Sequence, residues 1–269
     1  MDKQLRQELF EQAQEWMLEA GERIREKIDD PRSIETKSNP NDLVTEMDRN
    51  TEQFFAEKIK ETYPDHLLFG EEGLGDEIED LAGTVWIVDP IDGTMNFVHQ
   101  KRNFAISVGI YVEGEGEIGF IYDVMDDILY SAKKGEGAKK NGKDLPQLNA
   151  ERPLHESILA FNTTWLLPEN PHVDHQGMQK LIKHLRSTRS YGSAALELAY
   201  VAEGIIDGYL TMSLMPWDIA AGIILIKEAG GTVARADGKD LDMLTKTTLL
   251  ASRANIHEEI ISEYVTLKK

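Results

Sequence analysis

Residues 85–94 read VWIVDPIDGT, four apolar residues followed at once by Asp89, Pro90, Ile91, Asp92, Gly93 and Thr94. The apolar run predicts a buried strand over 84–88 that ends at Asp89. Asp-Pro and Asp-Gly are ordinary turn dipeptides, so a turn accounts for the residue types. It does not account for the charge. Two carboxylates three residues apart at the end of a hydrophobic strand repel each other, and more strongly when partly buried. A hard cation held by oxygen removes that penalty, and magnesium favours one or two carboxylates together with water and phosphate.

Other acidic residues stand in similar places. Glu71 and Glu72, in GEEG at 70–73, follow the short apolar run HLLF and read either as a solvated loop or as a second delivery of carboxylates. Ligands in layered α/β folds sit beyond strand ends, which favours the second reading. Asp218, in MPWDIAAGIILIKEAGG at 215–231, can cap the helix that follows it. Pro216 and Trp217 before it form a stiffer mount than a cap requires. YGSAALELAY at 191–200 begins a helix with a glycine ahead of it, offering backbone N–H groups to an anion, with Arg189 close by. His172 and His175, spaced HxxH in a polar loop, read as surface residues. NTTWLLPENPH at 162–172 is a long turn able to cover a pocket.

The bulk numbers constrain the partners. The chain has 269 residues and a formal charge of −19, which argues against a nucleic acid held on a basic face. An anionic substrate would be repelled by the mean field unless bound divalent cations reverse it locally. The absence of cysteine excludes disulfides, thiolate metal sites and cysteine nucleophiles. No glycine-rich loop followed by Lys-Ser or Lys-Thr is present, which disfavours a nucleotide kinase. The apolar run at 219–226 is far too short for a membrane span, and the N-terminus lacks a signal-peptide pattern. The expectation is a cytoplasmic protein with no membrane partner.

Apolar spacing predicts long helices over 2–29 and from about Thr45 to Pro64, the second opened by a Thr45/Asp48 capping box. Residues 104–132 alternate and are β-rich, which predicts an antiparallel meander. KKGEGAKKNGKDLP at 133–146 reads as a boundary. Beyond it come a strand at SILAFN, helices near 174–186 and 193–203, a strand at DGYLTM, a helix opening at Asp218, strands at GTVAR and TLLAS, and a last helix from Asn255. The expected organisation is an α+β unit over 1–148 and an α/β unit over 149–269, packed as layers.

In order and separation, KSNPNDLVTEMD, GEEG, WIVDPIDGT, YGSAALELAYVAEG and PWDIAAGIILIKEAGG resemble the inositol monophosphatase family, magnesium-dependent and lithium-sensitive sugar phosphatases. The resemblance runs from about Lys37 to Gly231. It implies a layered α/β/α/β/α sandwich, usually homodimeric, that hydrolyses a small phosphorylated polyol or sugar. It assigns one magnesium to Glu71, Asp89 and the carbonyl of Ile91, a second to Asp89, Asp92 and Asp218, and a third, weaker ion to Glu71 through water. Manganese is a possible substitute. Thr94, with Glu71, matches the residue that orients the attacking water, and Asp48 the aspartate bonded to that threonine. Gly93 and Thr94 would offer N–H groups to phosphate, with Lys37 a nearby charge. Gly192, Ser193 and Ala194 would line the substrate ring, with Arg189 at its edge or at a dimer interface.

One position departs from the pattern. Family members acting on inositol phosphate commonly carry a glutamate seven residues before the last metal aspartate; here it is Thr211. A charged acceptor is worth ~1.5–3 kcal/mol, so inositol selectivity is what this change touches. NADP 2′-phosphate and fructose 1,6-bisphosphate are the alternative substrates on the same chemistry. A covalent aspartyl-phosphate enzyme fits less well, because two residues rather than one separate Asp89 from Asp92. A regulatory protein on a retired phosphatase fold is the alternative from another class.

Overall fold

The computed structural model describes residues 1–30, 34–36, 43–148 and 151–268; Lys37 lies outside them. Helix α1 (Lys3–Glu26) is capped by Asp2, which accepts from the backbone N–H of Gln4 at 3.2 Å. Its buried stripe is Leu9, Ala13, Trp16, Met17, Ala20 and Ile24. After a short antiparallel pair, β1 (Ile34–Thr36) with β2 (Leu43–Thr45), helix α2 (Glu46–Thr62) opens on the expected capping box. The Thr45 N–H donates to Asp48 Oδ2 at 2.8 Å.

A seven-stranded sheet follows, in chain order across its width: β3 (Leu67–Gly70), β4 (Thr84–Asp92), β5 (Ala105–Val112), β6 (Glu115–Asp123), β7 (Ile128–Lys133), β8 (Ala138–Lys140) and β9 (Lys143–Asp144). Helix α3 (Thr94–Gln100) links β4 to β5. Only β3 and β4 run parallel in this sheet; the rest is the predicted meander. The second sheet has strands β10 (Ile158–Phe161), β11 (Ser187–Arg189), β12 (Gly208–Leu214), β13 (Thr232–Ala234) and β14 (Thr247–Ser252), in the order β11-β10-β12-β14-β13. Helices α4 (His175–His184), α5 (Ala194–Glu203), α6 (Pro216–Glu228) and α7 (Ala254–Tyr264) complete the chain.

Strand alternation sorts side chains into layers. In β4, Trp86 and Val88 pack with α1 and α2, whereas Val85 and Ile87 face α5 and α6. In β12, Tyr209 faces α5 and α6, whereas Leu210 and Met212 join α4 and α7. The stack is therefore helix, sheet, helix, sheet, helix, the expected sandwich. Helix α6 is apolar on all sides because it lies between the sheets. The glycines of the meander admit it rather than break strands: a Cβ at Gly109 would sit 2.9 Å from that of Ala220, and one at Gly119 2.7 Å from the Ala221 carbonyl oxygen. The boundary expected at 148/149 lies between the two sheets, while the α5–α6 layer packs on both.

One boundary differs from expectation in a way that matters for the site. Strand β4 does not end at Asp89 but continues to Asp92. Asp89 pairs with Ser107 and Asp92 with Ala105, three residues on β4 against two on β5. In a regular strand, residues three apart point to opposite faces. The extra residue makes a bulge, which re-aims the strand so that both aspartates serve one face.

Candidate active site

The bulge brings distant segments together. One carboxylate oxygen from each of Asp89, Asp92 and Asp218 lies within 4.8 Å of the other two. Asp89 is 1% exposed and Asp92 7%. Glu71 interacts with Asp89 carboxyl to carboxyl. Burial first, then the charges of Glu71, Asp92 and Asp218, drive the Asp89 carboxyl well above the usual range. Burial and the Asp92 charge do the same for Asp218. Asp92 is pushed up to about 6, burial outweighing the hydrogen bonds from Ser193 and Ala195. Packing four carboxylates in this way is unfavourable without positive charge among them, and oxygen-only donors are the set a hard divalent cation takes. The residues fit magnesium or manganese.

Asp218 caps α6 as expected, from the third residue of the helix: its Oδ2 accepts from the Met215 N–H at 2.8 Å, and its carboxylate also belongs to the acidic centre. Thr94, the first residue of α3, has its hydroxyl 3.1 Å from both Asp48 Oδ1 and the Ile91 carbonyl. Asp48 is fully buried and anchored through Oδ2 to both the N–H and the hydroxyl of Thr45. Gly93 has φ 92° and its Cβ would fall 3.1 Å from the Gly192 carbonyl, so only glycine fits both conformation and space.

The start of α5 carries a correction. Its N–H groups are not free for a substrate anion: Asp92 Oδ2 accepts from the Ala195 N–H at 2.8 Å and from the Ser193 hydroxyl. The chain's own carboxylate complements the helix terminus, which ties the C-terminal half to the acidic centre. Beside it opens a cleft of about 680 Å³ whose walls include Asp92, Gly192, Ser193, Ala194, Thr211 and Asp218. Arg189 is not in its lining. It sits exposed on the edge strand β11, its guanidinium turned back to Ser187 Oγ at 2.6 Å and the Thr188 carbonyl at 2.8 Å. The 162–172 turn does reach the cleft, through Asn162, Thr164 and Trp165. His172 is half-buried, edge-on to the Trp165 ring.

Three contributors were not singled out from the sequence. Glu52 is fully buried on the inner face of α2 and accepts from the N–H groups of Glu72 at 2.7 Å and Leu74 at 2.8 Å, holding the GEEG loop in place. The signal was present: Asp48, Glu52, Phe55 and Ile59 share the buried helical stripe, and a charge there needs partners. Asn96 donates to the carbonyls of Asn103 and Tyr191 at 2.8 and 2.7 Å, joining α3 to the Gly192 turn. Glu197 takes the Tyr191 N–H at 2.7 Å from the other side of that turn.

With this geometry in view, similarity to known proteins decides the assignment. Residues 5–269 match the model of the inositol monophosphatase family. The chain belongs to the inositol monophosphatase family. It is 53% identical over 262 residues to the inositol-1-monophosphatase of Bacillus subtilis strain 168, covering 97% of this chain and 98% of that protein. The inositol monophosphate-bound structure of the staphylococcal enzyme SaIMPase-II superposes with a TM-score of 0.84 at 40% identity, covering 96% of this chain and 93% of that one. An IMPase/NADP phosphatase complexed with Mg2+ and phosphate superposes with a TM-score of 0.89 at 27% identity, covering 98% and 99%. As an inositol monophosphatase family member, the chain is a phosphoric monoester hydrolase.

A testable consequence concerns the ion-free protein. A carboxyl whose folded pKa is raised supports the fold while protonated, and that support is lost as pH rises through the folded value. For Asp92 the loss falls between its ordinary value of 3.8 and about 6, and Asp89 and Asp218 shift in the same direction. Magnesium should therefore raise the melting temperature more at pH 8 than at pH 5.5, where protons compete for the same oxygens. At 100 times Kd the gain is about 2.7 kcal/mol. Equal gains at both pH values would contradict this electrostatic account.

Proposed function

We propose that this enzyme is an inositol-1-monophosphatase, hydrolysing the phosphate monoester of a small polyol with magnesium. The reading is carried by the convergence of Asp89, Asp92 and Asp218, with Glu71 beside Asp89, at one end of a polar cleft. Glu71, Asp89, the Ile91 carbonyl, Asp92 and Asp218 hold the ions in this reading, two or three per subunit. Bound magnesium supplies acidified water and neutralises charge on the phosphoryl and leaving oxygens. The chain's own groups do the positioning. Asp48 fixes the Thr94 hydroxyl, Thr94 and Glu71 orient the attacking water, and Ser193 and Ala195 hold Asp92 between the ion site and the cleft. Phosphoryl transfer asks for little else. A homodimer, cytoplasmic location, lithium sensitivity and manganese substitution complete the reading as implications of family membership.

Thr211, in place of the glutamate, and Trp165 in the cleft wall favour a second reading, hydrolysis of the 2′-phosphate of NADP. Steady-state turnover with saturating magnesium on inositol 1-phosphate, NADP, fructose 1,6-bisphosphate and p-nitrophenyl phosphate separates the two. The first reading expects inositol 1-phosphate to have the highest kcat/KM. Equal or better NADP turnover would replace it with the second.

A further inference from the structure

Helix α2 carries two fully buried carboxylates, Asp48 and Glu52, four residues apart and so on one face. They reach different arms of the site. Asp48 Oδ1 accepts from the Thr94 hydroxyl at 3.1 Å. Glu52 accepts from the Glu72 N–H on Oε2 at 2.7 Å and from the Leu74 N–H on Oε1 at 2.8 Å. Those two amides flank Gly73, whose φ of 74° turns the chain, so one carboxylate closes the turn that follows Glu71.

The close approach of Glu52 is built into the strand before that turn. A Cβ at Gly70 would fall 2.4 Å from the Glu52 carboxyl carbon, so glycine leaves room for the carboxylate at the strand end. Strand β3 stops at Gly70, which is paired in parallel with Val88, and Glu71 therefore leaves the sheet alongside Asp89. Beyond the turn Asp76 folds the loop back. Its N–H donates to the Leu68 carbonyl at 2.7 Å, and its Oδ2 accepts from the Leu68 N–H at 2.8 Å. A buried carboxylate is costly without partners, and charge-assisted bonds to two backbone N–H groups offset that cost while fixing direction. The helix that carries it is itself fixed, capped by Thr45 and joined through Phe54, Phe55 and Ile59 to the core around Trp16 and Trp86.

We propose that α2 is an alignment helix, in which Glu52 is a positioning residue for Glu71 as Asp48 is for Thr94, so that two carboxylates one turn apart set the spacing of the pair that orients the attacking water. The inference rests on the reading of Glu71 as an ion ligand and of Glu71 and Thr94 as the groups around that water. It gives the buried charge at position 52 a function that its own helix does not require.

The test uses the full-length enzyme, with manganese alone as the probe in calorimetric titrations and turnover of p-nitrophenyl phosphate measured beside them. Glu52→Gln puts an NH2 group against one of the two N–H donors whichever way the amide is turned. The expected result is a manganese Kd and a kcat at saturating manganese that each worsen about 10-fold, the low end for a group that supports a metal ligand. KM should stay within about two-fold. In a Glu71→Gln background the same change should move the manganese Kd by less than about two-fold, because its effect runs through Glu71. Gly70→Ala crowds Glu52 from the strand side, at a backbone conformation outside the left-handed region. It should weaken manganese binding in the same direction, and it carries the test if Glu52→Gln does not fold. Unchanged manganese affinity in these variants, or the full loss repeated on top of Glu71→Gln, would overturn the proposal and leave Glu52 a support of the fold alone. A Glu71→Gln enzyme with wild-type manganese affinity would instead overturn the reading of Glu71 as an ion ligand.

Discussion

Asp89→Asn is expected to lower magnesium-dependent phosphomonoester hydrolysis by at least about 10³-fold, the scale on which a preorganised electrostatic element contributes to a transition state. Asp89 is the most buried of the three converging aspartates and feels Glu71, Asp92 and Asp218 together. The amide keeps the shape and can still accept the Ile91 N–H that lies 3.0 Å from Asp89 Oδ1. It removes one negative charge from the set that attracts ions. The same change relieves repulsion in the ion-free protein. The variant should therefore melt at a higher temperature than wild type in EDTA while gaining less from magnesium, a stability gain with a functional loss. Melting curves with and without magnesium, run beside turnover, check both. A variant that is less stable in EDTA and inactive would point to a folding defect rather than to lost ion binding.

Thr94→Ala carries the second large effect. The Thr94 hydroxyl has a single proton, and Asp48 Oδ1 and the Ile91 carbonyl both lie 3.1 Å away to receive it. Its remaining capacity is as an acceptor, the role needed to orient a water and draw on its proton. Asp48 is not adjustable, because Oδ2 is tied to the Thr45 N–H and hydroxyl. Loss of the hydroxyl should cost about 10²-fold in kcat, the low end of general acid–base contributions. KM should stay within about three-fold, since the residue acts on the water rather than on the ester. Thr94→Ser should recover most of the rate. A rise in KM with unchanged kcat would place Thr94 in substrate binding instead.

These effects trace back to features of very different legibility. The capping box at Thr45 and Asp48, the meander, and the apolar run ending in two aspartates were all readable, because each is a local pattern of residue type and spacing. The bulge between Asp89 and Asp92 was not, because it exists only relative to Ser107 and Ala105 on the neighbouring strand. For the same reason the α5 terminus read as open to a ligand: nothing near Ser193 in sequence reveals that Asp92, 101 residues earlier, fills it. Proximity in the chain set Arg189 beside Gly192, but on an edge strand its guanidinium bonds to Ser187 and Thr188 and stays out of the cleft wall, a placement that only the fold reveals.

The central claim is that three separate segments of an acidic chain converge on one hard-cation site. Anomalous diffraction from crystals soaked in manganese tests it most directly. The account predicts strong anomalous peaks among Glu71, Asp89, Asp92 and Asp218, reduced in Asp89→Asn crystals soaked in the same way. Peaks only elsewhere on the surface, or none at the manganese concentration that supports turnover, would contradict it.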